Sequence, residues 1–261
     1  TKVIQPMETA VVKAIHVRDG QEVTLGQVLI ELDATTATAD SDRLRNEALT
    51  ARLEALRAEA LLGALASGTP PRLKPLDGAD GDRLVAEQSQ ATGQYQEYQA
   101  RQLQLQAEIA RRRAELQATQ DQVFKLEQTV PIARQRAQDY QKLVKENFIS
   151  QHGYLEREQA RIEQEQDLAS SRSKAAEIRA ALAEAQQQQV TLTAETRRQL
   201  LDQHNLASQK AASLEQELVK ADQRGRLMRM TAPVAGTVQQ LAVTTVGGVV
   251  TPAQPLMVIV P

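Results

Sequence analysis

Apolar positions along this chain change their period between its ends and its middle. At each end they come in short pulses between turn residues; through the middle they recur at helical spacing among long polar stretches. From Val12 the apolar residues Ile15, Val17 and Val23 follow at steps of three, two and six, and from Val238 the residues Leu241, Val243 and Val249 repeat those steps at a constant offset of 226 positions. Pro6 and Ala10 precede the first set and Pro233 and Gly236 the second, while Gly26 and Pro252 follow them. Apolar pulses bounded by glycine and proline predict short strands joined by tight turns. Two copies of one strand-turn-strand unit, over 1–33 and 227–261, therefore flank everything else. Neither copy, at roughly 30 residues, has interior enough to offset chain entropy by itself. The two are expected to fold on each other.

Between them the pattern turns helical. Candidate N-caps in DATTATADSD (33–42) precede Leu44, Leu49, Leu53, Leu56 and Leu61, which predicts a first helix over 34–66. Residues 67–82 hold three prolines and three glycines and predict a loop. A second helix is expected over 83–145, where Ile109, Leu116, Val123, Val130, Ala137 and Val144 recur every seven residues. The interleaved line Leu105, Arg112, Thr119, Leu126, Ala133 and Tyr140 is only partly apolar, so the coiled-coil seam should be narrow. ENFISQHG (146–153) interrupts the pattern as a hairpin tip. A third helix over 154–226 shows Leu155, Ile162, Ala169, Ala176, Ala183 and Val190, again every seventh residue, which predicts its face toward the second helix. Pro131 removes one backbone hydrogen bond inside the second helix, and a kink is expected there. At 1.5 Å per residue the three helices would measure about 50, 95 and 110 Å. The first two together exceed the third, so the first should overlap the hairpin base as a short three-helix segment.

Composition sharpens this picture. The 261 residues include no cysteine, no tryptophan and only 2% aromatics, too few large side chains for one globular core of that size. An elongated molecule with a thin seam of contacts is the expectation. The net charge of -2 is made of interspersed acids and bases, and the Arg111–Arg113 run is the densest basic cluster, so no nucleic-acid footprint is present. No run of about 18 apolar residues and no signal peptide occurs, and a chain bounded by strands is expected to be a piece of a longer protein.

Two half-motifs separated by a long helical hairpin resemble the periplasmic adaptor, or membrane fusion, proteins of bacterial tripartite transport systems. IQPMETAVVKAIHVRDGQEVTLGQVLIELD at the start and GGVVTPAQPLMVIVP at the end are most similar to the haemolysin D (HlyD) branch, which serves type I secretion. The resemblance covers the whole chain, and its half-motifs are the specific part. It implies a mainly α fold with a small β domain, in which a three-helix antiparallel coiled-coil hairpin is inserted between two halves of a lipoyl-like β-sandwich. It implies an adaptor in the periplasm, anchored to the inner membrane by a segment outside this chain. The implied partners are an inner-membrane ABC transporter, a TolC-type outer-membrane channel met by the hairpin tips, a secreted protein such as an RTX toxin, protease or lipase, and further copies of itself, as a hexamer. Two alternatives are an adaptor of a drug or small-molecule efflux pump and a generic coiled-coil scaffold, the latter requiring that the β units do not pair.

Candidate functional residues lie at the tip. Efflux adaptors of this superfamily place there an arginine, a leucine four residues on and a serine seven further; Asp139, Leu143 and Ser150 stand at those places. The leucine and serine fit, whereas the acid departs from the efflux pattern and agrees with the secretion branch. Asn147, Phe148 and Ile149 complete the set, because Phe148 is one of two phenylalanines and sits beside Ile149 where a turn should expose both. The opposing expectation is that Phe148 and Ile149 fold back to close the hairpin end. A lipoyl or biotinyl carrier would present a lysine at the hairpin joining its halves, but no lysine occurs between Thr24 and Lys74. His16, His152 and His204 fall on different elements, and no phosphate loop or nucleophile signature is present, so no metal, no cofactor and no catalysis are expected.

Overall fold

The computed structural model describes residues 1–261. In chain order they form β1 (Lys2–Ile4), β2 (Ala10–Ile15), β3 (Glu22–Val23), β4 (Val28–Leu32), α1 (Thr35–Ser67), α2 (Gly81–Lys145), α3 (Gln151–Leu227), β5 (Arg229–Thr231), β6 (Gly236–Gln239), β7 (Val249–Val250) and β8 (Met257–Val260). The third helix starts at Gln151, ahead of the expected Tyr154, because Ser150 is the residue that caps it. Helical structure continues through Pro131, whose ring leaves the Glu127 carbonyl without its usual donor. The chain divides into two compact units: Thr1–Ala60 with Arg72–Gln88 and Leu201–Pro261, and Leu61–Pro71 with Ser89–Leu200.

The first unit holds a β-sandwich to which both chain ends contribute. One sheet has the order β1-β8-β6-β3 and the other β5-β4-β2-β7, all neighbours antiparallel where paired. Each half of the chain thus supplies two strands to each sheet, and neither half owns a sheet. Backbone bonds between the halves are reciprocal: Gly20 N donates to Val238 O at 2.8 Å, and Gly247 N to Val12 O at 2.8 Å. Likewise Gly26 N reaches Ala232 O, and Ala253 N reaches Pro6 O. Leu29, Ile30, Val12, Val238, Leu256, Met257 and Ile259 lie fully inside. Burying each such side chain is worth about 1.5–3 kcal/mol, which is what the isolated halves would forgo.

The repeat expected at a fixed offset of 226 slips by one residue. Val249 is 63% exposed and its neighbour Val250 only 2%, so Val250 and not Val249 matches the buried Val23. From the second turn on the offset is 227. Thr24 N donates to Gln27 Oε1 at 3.0 Å, and Thr251 N to Gln254 Oε1 at 3.2 Å. Left-handed Gly20 and Gly26 likewise match Gly247 and Ala253. The extra residue falls among Thr244–Val246, opposite the shorter Arg18–Asp19. Gly236 is fixed by close approach: a Cβ there would run into the Val260 carbonyl oxygen of the neighbouring strand.

β4 passes into α1 through Asp33, whose carboxylate accepts from Thr35 N at 3.0 Å and Thr35 Oγ1 at 2.6 Å. Those bonds, the hydroxyl's foremost, hold its pKa below the ordinary aspartate range. In the same unit Leu44, Ala48 and Ala51 of α1 pack on Ala211, Leu214 and Ala221 of α3, and Ser41 hydrogen-bonds Asp222. Arg57 of α1 meets Glu87 of α2 at 2.5 Å. The overlap of the first helix with the hairpin base is thus present. On α3, Leu206 points to solvent, while Leu214 is buried.

Candidate functional site

The second unit contains the greater part of the hairpin and its tip. Partners across it identify the antiparallel register: Tyr140 with Arg157, Arg134 with Glu165, Glu127 with Arg172. Tyr98 and Gln102 reach Thr193 at 3.0 and 2.7 Å. Positions close to equally distant from residues 148 and 149 therefore lie at one level. On α2, Ile109, Leu126, Val130 and Ala137 are buried, and the intermediate positions Leu105, Arg112, Leu116, Thr119, Val123, Ala133, Tyr140 and Val144 complete both heptad lines read from the sequence.

On α3 the expected face is wrong. Leu155 is 52% exposed and Val190 63%, and Ile162, Ala169, Ala176 and Ala183 are exposed too. The seam instead uses Leu168, Ala175, Leu182 and Gln189, with Ser171, Ile178, Ala185 and Leu192 beside them. Both lines repeat every seven residues, and each of Leu168, Ala175, Leu182 and Gln189 stands one place ahead of an apolar residue on the other line. Side-chain size decides between them: the seam holds Ile178 and three leucines, whereas the exposed line is alanine-rich in its middle.

Toward the tip the seam becomes polar. Arg161 bonds Glu158 at 2.6 Å and Glu165 at 2.8 Å, and Glu165 also accepts from Arg134 at 2.8 Å. Guanidinium hydrogen bonds from Arg161 hold the Glu158 carboxyl below the ordinary glutamate range, and those from Arg134 do the same for Glu165. The Arg157 guanidinium stands 5.3 Å from the Tyr140 ring centroid. Around Arg134, Gln138, Gln141, Tyr154 and Arg161 lies an open cavity of about 240 Å³.

The tip itself is a helix stop followed at once by a helix start. Asn147 takes the left-handed conformation (φ 60°), Asn147 N donates to Val144 O at 3.0 Å and Phe148 N to Leu143 O at 2.9 Å. These are the two bonds of a Schellman cap, for which asparagine is the usual substitute for glycine. Ser150 Oγ accepts from Gly153 N at 3.4 Å as the N-cap of α3. Asn147 and Ser150 thus have local structural work. Between them Phe148 is 73% exposed and does not fold back, while Ile149 is half-buried. Leu143 is 36% exposed, and Asp139 accepts from Gln135 at 2.9 Å on the outer surface. No group of three or more His, Cys, Asp or Glu side chains could hold a metal ion.

Residues 33–228 match the family model described as CyaD, alpha-helical hairpin domain. Over its full length the chain is 34% identical to leukotoxin secretion protein D of Mannheimia haemolytica and 35% identical to protein CyaD of Bordetella pertussis. It covers 55% and 52% of those proteins. Hemolysin secretion protein D of Escherichia coli is 30% identical, with 56% of it covered. The chain spans about half the length of the curated relatives it matches. Among solved structures, the soluble domain of LipC, a membrane fusion protein of a type I secretion system, superposes with a TM-score of 0.83 at 25% identity, covering 100% of this chain and 99% of that one. The periplasmic adaptor protein EmrA shares the fold at a TM-score of 0.52 and 15% identity, over 100% of this chain and 71% of that one.

Proposed function

The chain belongs to the HlyD family of periplasmic adaptor, or membrane fusion, proteins of bacterial type I secretion systems, and on that premise we propose what it does. It serves as the part of the adaptor that joins an inner-membrane ABC transporter to a TolC-type outer-membrane channel. The cargo is a secreted protein, and relatives named for leukotoxin and hemolysin secretion favour a toxin of the RTX kind. These residues work in the periplasm, held to the inner membrane by an anchor assigned to sequence outside 1–261; no helix among them is long and apolar enough to cross a membrane. Several copies, six on this reading, act together.

The observation that supports the reading is the tip. Two capped helix ends only a few residues apart hold Phe148 in solvent at the far end of the hairpin. An exposed aromatic on a rigid turn meets a partner at little entropic cost, because its backbone is already fixed. Asp139, Leu143, Asn147, Phe148, Ile149 and Ser150 are the proposed contact set, with Phe148 and Leu143 supplying apolar area and Asn147 and Ser150 holding the turn. The scaffold alternative fails on the β-sandwich, which needs both halves. Efflux keeps only a likeness of fold.

The test is export by the full-length protein bearing Phe148→Asp or Leu143→Asp, with adaptor level and thermal unfolding monitored. The reading expects secreted cargo to fall at least about tenfold while folding is unchanged, since a charge in a desolvated contact costs more than about 1.4 kcal/mol. Secretion at the unsubstituted level from both variants would overturn it.

A further inference from the structure

The last turns of α3 work on two faces. Leu214, Leu218 and Ala221 turn toward α1, whereas Val219, Lys220, Arg224 and Leu227, roughly opposite them at about 100° per residue, line a groove beside the β-sandwich. Met7 and Glu8, in the β1–β2 connection, form the other wall, and Leu32 and Met228 lie at the base. All of these residues belong to the first unit. The groove is open and holds about 490 Å³. That volume falls within the ~300–1,000 Å³ of clefts that take small organic ligands. Leu32 and Met228 are buried, but Met7 and Val219 are 72% and 67% exposed, so apolar surface faces solvent in the walls. The two methionines, unbranched and polarizable, can adjust to the shape of an apolar chain.

Charge on the rim is not accounted for by the fold. Arg224 Nε stands 3.5 Å from Glu8 Oε2 across the groove. Lys220, one turn earlier on the same helix, is exposed and has no acidic partner. The helix dipole favours Arg224, which lies in the last turn, but its effect fades before Lys220. Two cations four residues apart oppose the helix slightly, and an anion held between them reverses that effect.

We propose that this groove binds a free long-chain fatty acid, with the chain against Leu32, Val219 and Met228 and the carboxylate on Lys220 and Arg224. Glu8 indicates the head group, because the anion that already faces Arg224 is itself a carboxylate. Its 3.5 Å separation is longer than the roughly 2.7–2.9 Å of a charge-assisted hydrogen bond, so the pair is open to exchange. Glu8 is then a built-in competitor for the ligand. Occupancy would join the β1–β2 connection to the end of α3, a role separate from contact at the hairpin tip.

The test is labelling of the full-length protein, in inner-membrane vesicles, by a tetradecanoate carrying a photoreactive diazirine, with the labelled residues mapped by peptide mass spectrometry. The proposal expects label at Met7 and within 219–228, displaced by unlabelled tetradecanoate but not by tetradecyltrimethylammonium. Competition should strengthen by up to about fourfold for each methylene added from decanoate to tetradecanoate. Lys220→Glu removes no partner, so it leaves the fold intact, and it should lower labelling about fivefold or more. Glu8→Gln should raise labelling severalfold at low probe concentration, by freeing Arg224, an effect of opposite sign that damage to the fold would not produce. Arg179→Glu, on an exposed part of α3, is the reference and should change nothing. Label spread evenly over the chain, equal competition by the cationic amphiphile, no dependence on chain length, or Lys220→Glu matching the reference would overturn the site. Stronger competition by lysophosphatidate than by tetradecanoate would overturn the choice of a carboxylate.

Discussion

The β-sandwich and the hairpin solve opposite problems with the same chain. In the sandwich, strands from both termini alternate, a core that includes Leu29, Ile30, Leu256 and Ile259 is fully covered, and backbone bonds between the halves come in reciprocal pairs. In the hairpin, the α2–α3 seam includes Arg112, Thr119, Arg161 and Gln189, while Leu103, Phe124 and Val190 stand in solvent. The Gln164 Oε1 atom is even buried there without a hydrogen-bond partner. A closed core fixes a fold; a thin seam with apolar residues left outside provides surface for other molecules. The difference lies in where the chain places its largest apolar side chains.

The strongest way to break this comparison is in the sandwich. Ile259→Ala should cost about 2–5 kcal/mol in denaturant unfolding, because a fully buried side chain shared by both halves is deleted. Gly236→Ala should destabilise as well, by forcing β6 away from the Val260 carbonyl. Next in size is a pair of substitutions on α3. Ile178→Ala, in the seam, should cost about 2 kcal/mol or more, whereas Ile162→Ala, on the exposed line, should stay within about 0.5 kcal/mol. Equal losses would mean that the two lines had been wrongly distinguished. Ser150→Ala should cost about 1 kcal/mol through the lost N-cap, read as lower helicity and melting temperature of the hairpin.

A smaller effect concerns acid. Glu165 has its folded pKa lowered, first by the hydrogen bond from Arg134, so its contribution is complete above the unfolded value and is lost as pH falls through the folded one. The window begins near the ordinary glutamate value, about 4.3, and extends below it. Glu165→Gln should flatten the pH dependence of hairpin stability in that window and leave it unchanged near neutrality in slope. A pH profile identical to that of the unsubstituted protein would contradict the assignment.

Sequence periodicity reached different parts of this molecule unequally. The α2 seam was legible because Ile109, Leu116, Val123 and Val130 are large, apolar and recur every seven residues without a gap. On α3, two lines one residue apart both repeat every seven positions, and alanine at 169, 176 and 183 satisfies an apolar pattern without requiring burial. Only the larger Leu168, Leu182, Ile178 and Leu192 could have distinguished them. The paired half-motifs were legible from prolines, glycines and valines, but Val249 and Val250 are chemically identical neighbours, so the one-residue insertion could not be located. At the tip, Asn147 and Ser150 are residue types that cap helices, and the caps explain them without any partner. Phe148 has no such local role, which is why it bears the weight of the functional reading.

The most direct measurement is therefore made at that residue. Phe148→Cys in the full-length protein would be tested for disulfide formation with cysteines at the periplasmic helix ends of a TolC-type channel, with Gln122→Cys, exposed in mid-helix, as the reference. The account predicts efficient crosslinking from position 148 and none from 122. Crosslinking that is equal at the two positions, or absent at both, would show that the tip is a turn and that the adaptor meets its channel elsewhere.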